Sequence, residues 1–208
     1  MEILKLKDKK SDNSMSYFRY STIGSDTNKK MKELFVEDIA LSELAEKYNT
    51  PCYIYSYNSL INRYQRFTRA VGDALVCYSV KANDNLAIIR CLGLQGAGAD
   101  IVSGGELKRV IAAGIVPSKI VFSGVGKTAI EISDALDAQI GQFNVESESE
   151  LALLAEIAGQ KGVVAPVSLR VNPDVDAKTH EKISTGRAQD KFGINLDKVE
   201  QLFVDGTQ

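Results

Sequence analysis

The chain has 208 residues, 44% of them hydrophobic and 25% charged, with no tryptophan, a composition that provides a sizeable core and argues against disorder. The net charge of −2, with both signs interspersed along the chain, argues against nucleic acid or a membrane surface as partners. Cys52, Cys77 and Cys91 are odd in number and unclustered, which predicts buried thiols in the reducing cytoplasm. No apolar run reaches membrane-spanning length, and the lysine-rich start has no signal-peptide core. His180 is the single histidine, so there is little material for a zinc site or a Ser-His-Asp triad, and no metal centre is expected.

After a polar start, Tyr17 to Tyr20 reads as a short strand. Asp38 to Tyr48 reads as an amphipathic helix stopped before Pro51. Cys52 to Ser56 reads as a strand. From Asn58 to Val71 the apolar positions Leu60, Ile61, Tyr64, Phe67 and Val71 have helical spacing. A regular rhythm follows, with apolar strands predicted to begin near Leu75, Ala99, Lys119, Gly141 and Pro166, each followed by a helix-like stretch. Ser103 with Glu106, Thr128 with Glu131, and Ser147 with Glu150 each match the capping box that opens a helix.

Alternating βα units imply a parallel sheet, and the short, even spacing favours a TIM-type (β/α)8 barrel over an open doubly wound sheet. A closed barrel needs eight strands and typically ~250 residues, whereas the rhythm here supplies about the first five units. Functional groups then belong at the carboxyl ends of the strands, where Lys81, Asp100, Ser103, Ser123, Asn144 and Asn172 fall. Lys81 ends the apolar run from Ala74. It either extends past the strand into water or is a buried amine whose pKa is lowered enough to act as a nucleophile or Schiff-base former.

Two apparent nucleotide motifs fail on spacing. A phosphate-loop reading of Phe122–Thr128 would need its first glycine at Val121, and a dinucleotide reading of Gly96–Ile101 would need its third glycine at Ile101. Both read instead as tight βα turns.

The segments YSVKAN (Tyr78–Asn83), GAGADIVSGGEL (Gly96–Leu107), FSGVGKT, FNVESESEL (Phe143–Leu151) and RVNPDVDAKTHEKISTG followed by KFGI occur in this order. Together they resemble the diaminopimelate decarboxylases, pyridoxal-phosphate (PLP) enzymes of the alanine-racemase-like barrel class. YSVKAN is shared across that wider class, including ornithine and arginine decarboxylases, whereas DAKTHEKISTG and KFGI are more particular to the diaminopimelate enzymes.

The resemblance implies that Lys81 is the lysine that holds PLP. It also implies that Asp100 and Arg170 are cofactor-binding residues, with Asp100 a possible partner for the Arg170 guanidinium. Asp100 could equally be a βα-turn carboxylate. Glu106 matches another acidic position near the site, although its capping-box geometry accounts for it without one. His180, in the Asp174–Gly186 loop, is either a further cofactor contact or an exposed loop histidine. The ring-stacking histidine of the family belongs to a later FHIGS-like strand.

On this resemblance, residues 1–35 form an extension contributing a strand to the β-domain of the full enzyme, and residues 36–208 an incomplete PLP-binding barrel. The glycine-rich phosphate loop, the EPGR-like segment and the C-terminal β-domain with its active-site cysteine and tyrosine would follow Gln208. A truncated product, nearly inactive alone, is therefore expected. For the whole enzyme the resemblance implies decarboxylation of meso-2,6-diaminopimelate to L-lysine and CO2, and a homodimer with shared active sites. A related decarboxylase of polyamine metabolism and a non-catalytic PLP-binding protein are the alternatives.

Overall fold

The computed structural model describes residues 17–23, 31–172 and 193–205. The chain divides into two compact units, Met1–Gly72 and Asp73–Gln208. In the first, strands β1 (Phe18–Ile23), β2 (Met31–Val36) and β3 (Ile39–Ala40) form an antiparallel sheet in that order. Ile39 and Ala40 pair with Val36 and Phe35, so helix α1 (Leu41–Tyr48) begins three residues later than the sequence pattern predicts.

Helix α2 (Tyr57–Val71) is capped by the Ser56 hydroxyl, which accepts from the Ser59 N–H. Glu37, in the turn after β2, takes hydrogen bonds from the Ser56 hydroxyl and from the backbone and side-chain nitrogens of Asn58. These donors, the Asn58 backbone N–H foremost, hold its carboxyl below the usual range. The strand expected at 52–56 does not form. Among the described residues it belongs to no sheet. Tyr53 is 91% exposed, so the apolar pattern there marks an exposed aromatic surface and not a core strand.

The second unit contains the βα repetition. Strands β4 (Cys77–Ser79), β5 (Gly98–Ile101), β6 (Ile120–Phe122), β7 (Gln142–Val145) and β8 (Val167–Leu169) form one parallel sheet in chain order. Helices α3 (Leu86–Leu94), α4 (Gly104–Ala112), α5 (Ala129–Asp137) and α6 (Glu148–Lys161) alternate with them. All five strand starts lie within two residues of the predicted ones.

Period-two alternation sorts the strand residues. Ala99, Ile101, Ile120, Phe122, Phe143 and Val145 are buried in one core with Leu107, Val110, Ile132 and Leu154 of the helices. The alternate positions Asp100, Gln142 and Asn144 are polar and half-buried, and they form the opposite, concave face. The chain carries a little more than the five expected units. Beyond β8, strand β9 (Val171–Asn172) pairs in parallel with β10 (Ile194–Asn195), and helix α7 (Leu196–Asp205) follows.

Candidate active site

Lys81 lies in a single turn of 3-10 helix, Val80–Ala82, directly after β4. Two contacts anchor that turn: Val80 is fully buried, and the Tyr78 hydroxyl donates to the Asn83 carbonyl at 2.9 Å. Lys81 itself is exposed, so of its two readings the one that places it past the strand end holds and the buried amine does not. It nevertheless lines a concave cleft of about 500 Å3 together with Asp100, Ser123, Asn144, Glu146, Ser168 and Arg170. The cleft lies at the carboxyl ends of the parallel strands, where backbone polarity and loop geometry gather functional groups.

Asp100, on β5, accepts from the Ser123 hydroxyl at 2.5 Å and from the Ser79 hydroxyl at 3.3 Å. Arg170 does not pair with Asp100. Its Nη1 reaches Glu146 Oε2 at 2.8 Å, with the arginine side chain 40% exposed and the glutamate 1% exposed. The reason is position: Glu146 follows β7, the neighbour of β8 in the sheet, whereas Asp100 lies on β5, two strands further away. Glu146 Oε1 accepts from the Gly124 N–H at 2.8 Å. Burial pushes the Cys77 thiol up from its usual range, and the nearby Asp100 carboxylate adds to the effect. His180 lies outside the described residues.

A buried ion pair holds two loops at the mouth. Lys127 Nζ meets Glu150 Oε1 at 2.6 Å, the side chains being 1% and 9% exposed. The same nitrogen donates to the Gly124 carbonyl at 2.7 Å and the Asn144 carbonyl at 2.8 Å, so all three ammonium protons have acceptors. Glu150 Oε2 accepts from the Glu146 N–H at 3.2 Å. The βα loops after β6 and β7 are thus fastened together, and Gly124, with φ +96°, is gripped at both its N–H and its C=O. Positive φ favours glycine there.

Sequence reasoning missed Glu146, Lys127 and Glu150 as members of this assembly. Lys127 lies in the stretch tested only as a phosphate loop, and Glu150 was read only as a cap. Of the three capping boxes, Thr128 with Glu131 is fully reciprocal. Glu106 and Glu150 instead reach the N–H of the residue before the cap, Val102 at 2.8 Å and Glu146 at 3.2 Å. Glu106 has the structural role expected of it.

The cleft's donor set suits a PLP-like group: a primary amine that can capture an aldehyde, a guanidinium for an anion, and fixed carboxylates between them. Residues 57–206 match the family described as pyridoxal-dependent decarboxylase, pyridoxal binding domain. A diaminopimelate decarboxylase of Vibrio cholerae is 51% identical over 91% of this chain and 44% of its own length. Another, from Zymomonas mobilis, is 54% identical over 77% of this chain and 39% of its own length. The crystal structure of the Helicobacter pylori diaminopimelate decarboxylase complexed with L-lysine superposes with a TM-score of 0.76 at 41% identity, over 81% of this chain and 43% of that one. The chain spans about two fifths of the length of the curated relatives it matches. Cleft, fold and sequence agree that the chain belongs to the pyridoxal-dependent decarboxylases, through their PLP-binding barrel domain, and that its kinship there is with the diaminopimelate decarboxylases.

Proposed function

We propose that this chain supplies the PLP-binding part of an enzyme that decarboxylates meso-2,6-diaminopimelate to L-lysine. The observation that carries the reading is Lys81, fixed by an anchored turn at the strand ends and lining a cleft with Asp100 and Arg170. PLP, when bound, supplies the electron sink for the carbanion left as CO2 departs.

Each residue of the chain then has a task. Lys81 would hold PLP through its amine, the group in the cleft able to join reversibly to an aldehyde. Asp100, fixed through both oxygens, places its carboxylate in the same cleft as that amine. Arg170, oriented by buried Glu146, presents a guanidinium to the cleft. His180 is retained as a further cofactor contact. We assign residues 1–35, as an extension contributing a strand, to the β-domain of the full enzyme, and residues 36–208 to its barrel. A cytoplasmic homodimer is the form we propose for the complete enzyme. The odd number and scatter of the cysteines support the location, but the thiols are not buried as expected: Cys52 is exposed and Cys77 and Cys91 are half-buried.

Incubation with PLP followed by borohydride reduction tests the cofactor site. Label on Lys81, lost in Lys81→Ala, is the expected result, and absence of label from Lys81 overturns the reading. In the complete protein, CO2 release from meso-2,6-diaminopimelate but not from ornithine or arginine tests the substrate.

A further inference from the structure

Four side chains form a single-file hydrogen-bond chain across the concave face of the sheet. Gln142 Nε2 donates to Asn144 Oδ1 at 2.7 Å, Asn144 Nδ2 donates to Ser123 Oγ at 2.9 Å, and Ser123 Oγ donates to Asp100 Oδ1 at 2.5 Å. The direction follows from counting protons. An ionised carboxylate only accepts, and a serine hydroxyl has one proton to give. That proton goes to Asp100, so Ser123 can take only an N–H from Asn144. The Asn144 amide is thereby oriented, and its oxygen turns to Gln142.

The backbones of these residues are held independently. The Ser123 N–H donates to the Ile101 carbonyl at 2.8 Å, Asn144 lies in the β7–β8 ladder opposite Ser168, and its carbonyl is bound by buried Lys127. Ser79 binds the other Asp100 oxygen from β4, so the plane of the carboxylate is fixed from two sides.

We propose that Gln142, Asn144 and Ser123 are positioning residues: they fix the orientation of the Asp100 carboxylate in the cleft and, through it, the readiness of Lys81 to capture the PLP aldehyde. The second half of this inference rests on the function proposed above. Capture joins Lys81 Nζ to the aldehyde carbon by a double bond, and the aldehyde oxygen leaves as water with the two amine protons. Asp100 and Lys81 line the same cleft, so a carboxylate free to rotate would no longer present a constant geometry to a group held there.

Two measurements on the chain without cofactor and with it separate the parts. Nitrogen-15 NMR of the side-chain amides reads the relay alone. Ser123→Ala and Asp100→Asn are each expected to shift the amide resonances of both Asn144 and Gln142, although Gln142 bonds neither residue. Unmoved Gln142 signals in both variants would overturn the relay. With PLP present, Ser123→Ala should weaken borohydride-trapped labelling of Lys81, raising the half-saturating PLP concentration about three- to tenfold, as expected for one lost hydrogen bond. Ser123→Thr, which keeps the hydroxyl, should remain within about twofold of the parent. Equal weakening in the two variants would mean that local packing and not the hydroxyl matters, and would overturn the proposal. If the parent chain takes no label at Lys81, the proposed function fails, while the amide spectra still decide the relay.

Discussion

Gly98 has no side chain because there is no room for one. A Cβ at that position would meet the Lys119 carbonyl oxygen and would lie 2.7 Å from Cys77 Sγ. Since the obstacle includes backbone, Gly98→Ala should destabilise the second unit by about 1–3 kcal/mol, read by urea unfolding. Glu131 gives a pH-dependent counterpart. Its carboxylate accepts from the Gly104 N–H at 2.7 Å and from both the N–H and the hydroxyl of Thr128. These bonds, the one from Gly104 foremost, hold its pKa below the usual 4.5. A depressed carboxyl pKa stabilises the fold above the unfolded-state value, and that contribution is lost as pH falls through the folded value. Glu131→Gln should therefore flatten the acid side of the stability profile, measured by denaturant midpoints between neutral pH and about pH 3. At this scale Lys81 was legible in the sequence, because a lysine closing an apolar run is chemically conspicuous. Glu146 was not. Only knowledge of which loops adjoin reveals that it meets Arg170.

Among elements, the βα repetition was readable because apolar runs, turns and caps agree on the same boundaries. The segment 52–56 was misread because alternating aromatics carry the same pattern whether they face a core or solvent, and pairing, which decides, is not local. The Lys127–Glu150 pair shows the same limit. Lys127 lies in the loop after β6 and Glu150 in the first turn of α6, and they read separately as a turn residue and a cap. Removing one partner of such a buried pair leaves an uncompensated charge, so Lys127→Met should cost about 3–5 kcal/mol. Lys127→Met combined with Glu150→Leu should recover only part of that loss, because the Gly124 and Asn144 carbonyls stay without their donor. Thermal and chemical unfolding of the three variants would check both statements. Full recovery in the double variant would mean that the carbonyl bonds contribute nothing.

Among the described residues, the five-stranded sheet has β4 as one outer strand, while the strand at its other side, β8, runs on through Arg170 into the short ladder of β9 with β10. Strand edges carry N–H and C=O groups that seek partners. If the β4 edge stays open, the chain should associate as its concentration rises, seen as a concentration-dependent mass in sedimentation, and a mass that stays monomeric throughout would count against an open edge at β4. The barrel class was legible from spacing and motif order, but the passage from β8 into a further βα unit was not, since β9 and β10 are two residues each and give no periodic signal. That passage turns on Arg170. Its N–H donates to the Val145 carbonyl at 2.9 Å, and its own carbonyl accepts from the Ile194 N–H at 2.7 Å. One residue thus splices two ladders while its guanidinium faces the cleft. Loosening the later strand should therefore shift the guanidinium within the cleft, without any change to Arg170 itself.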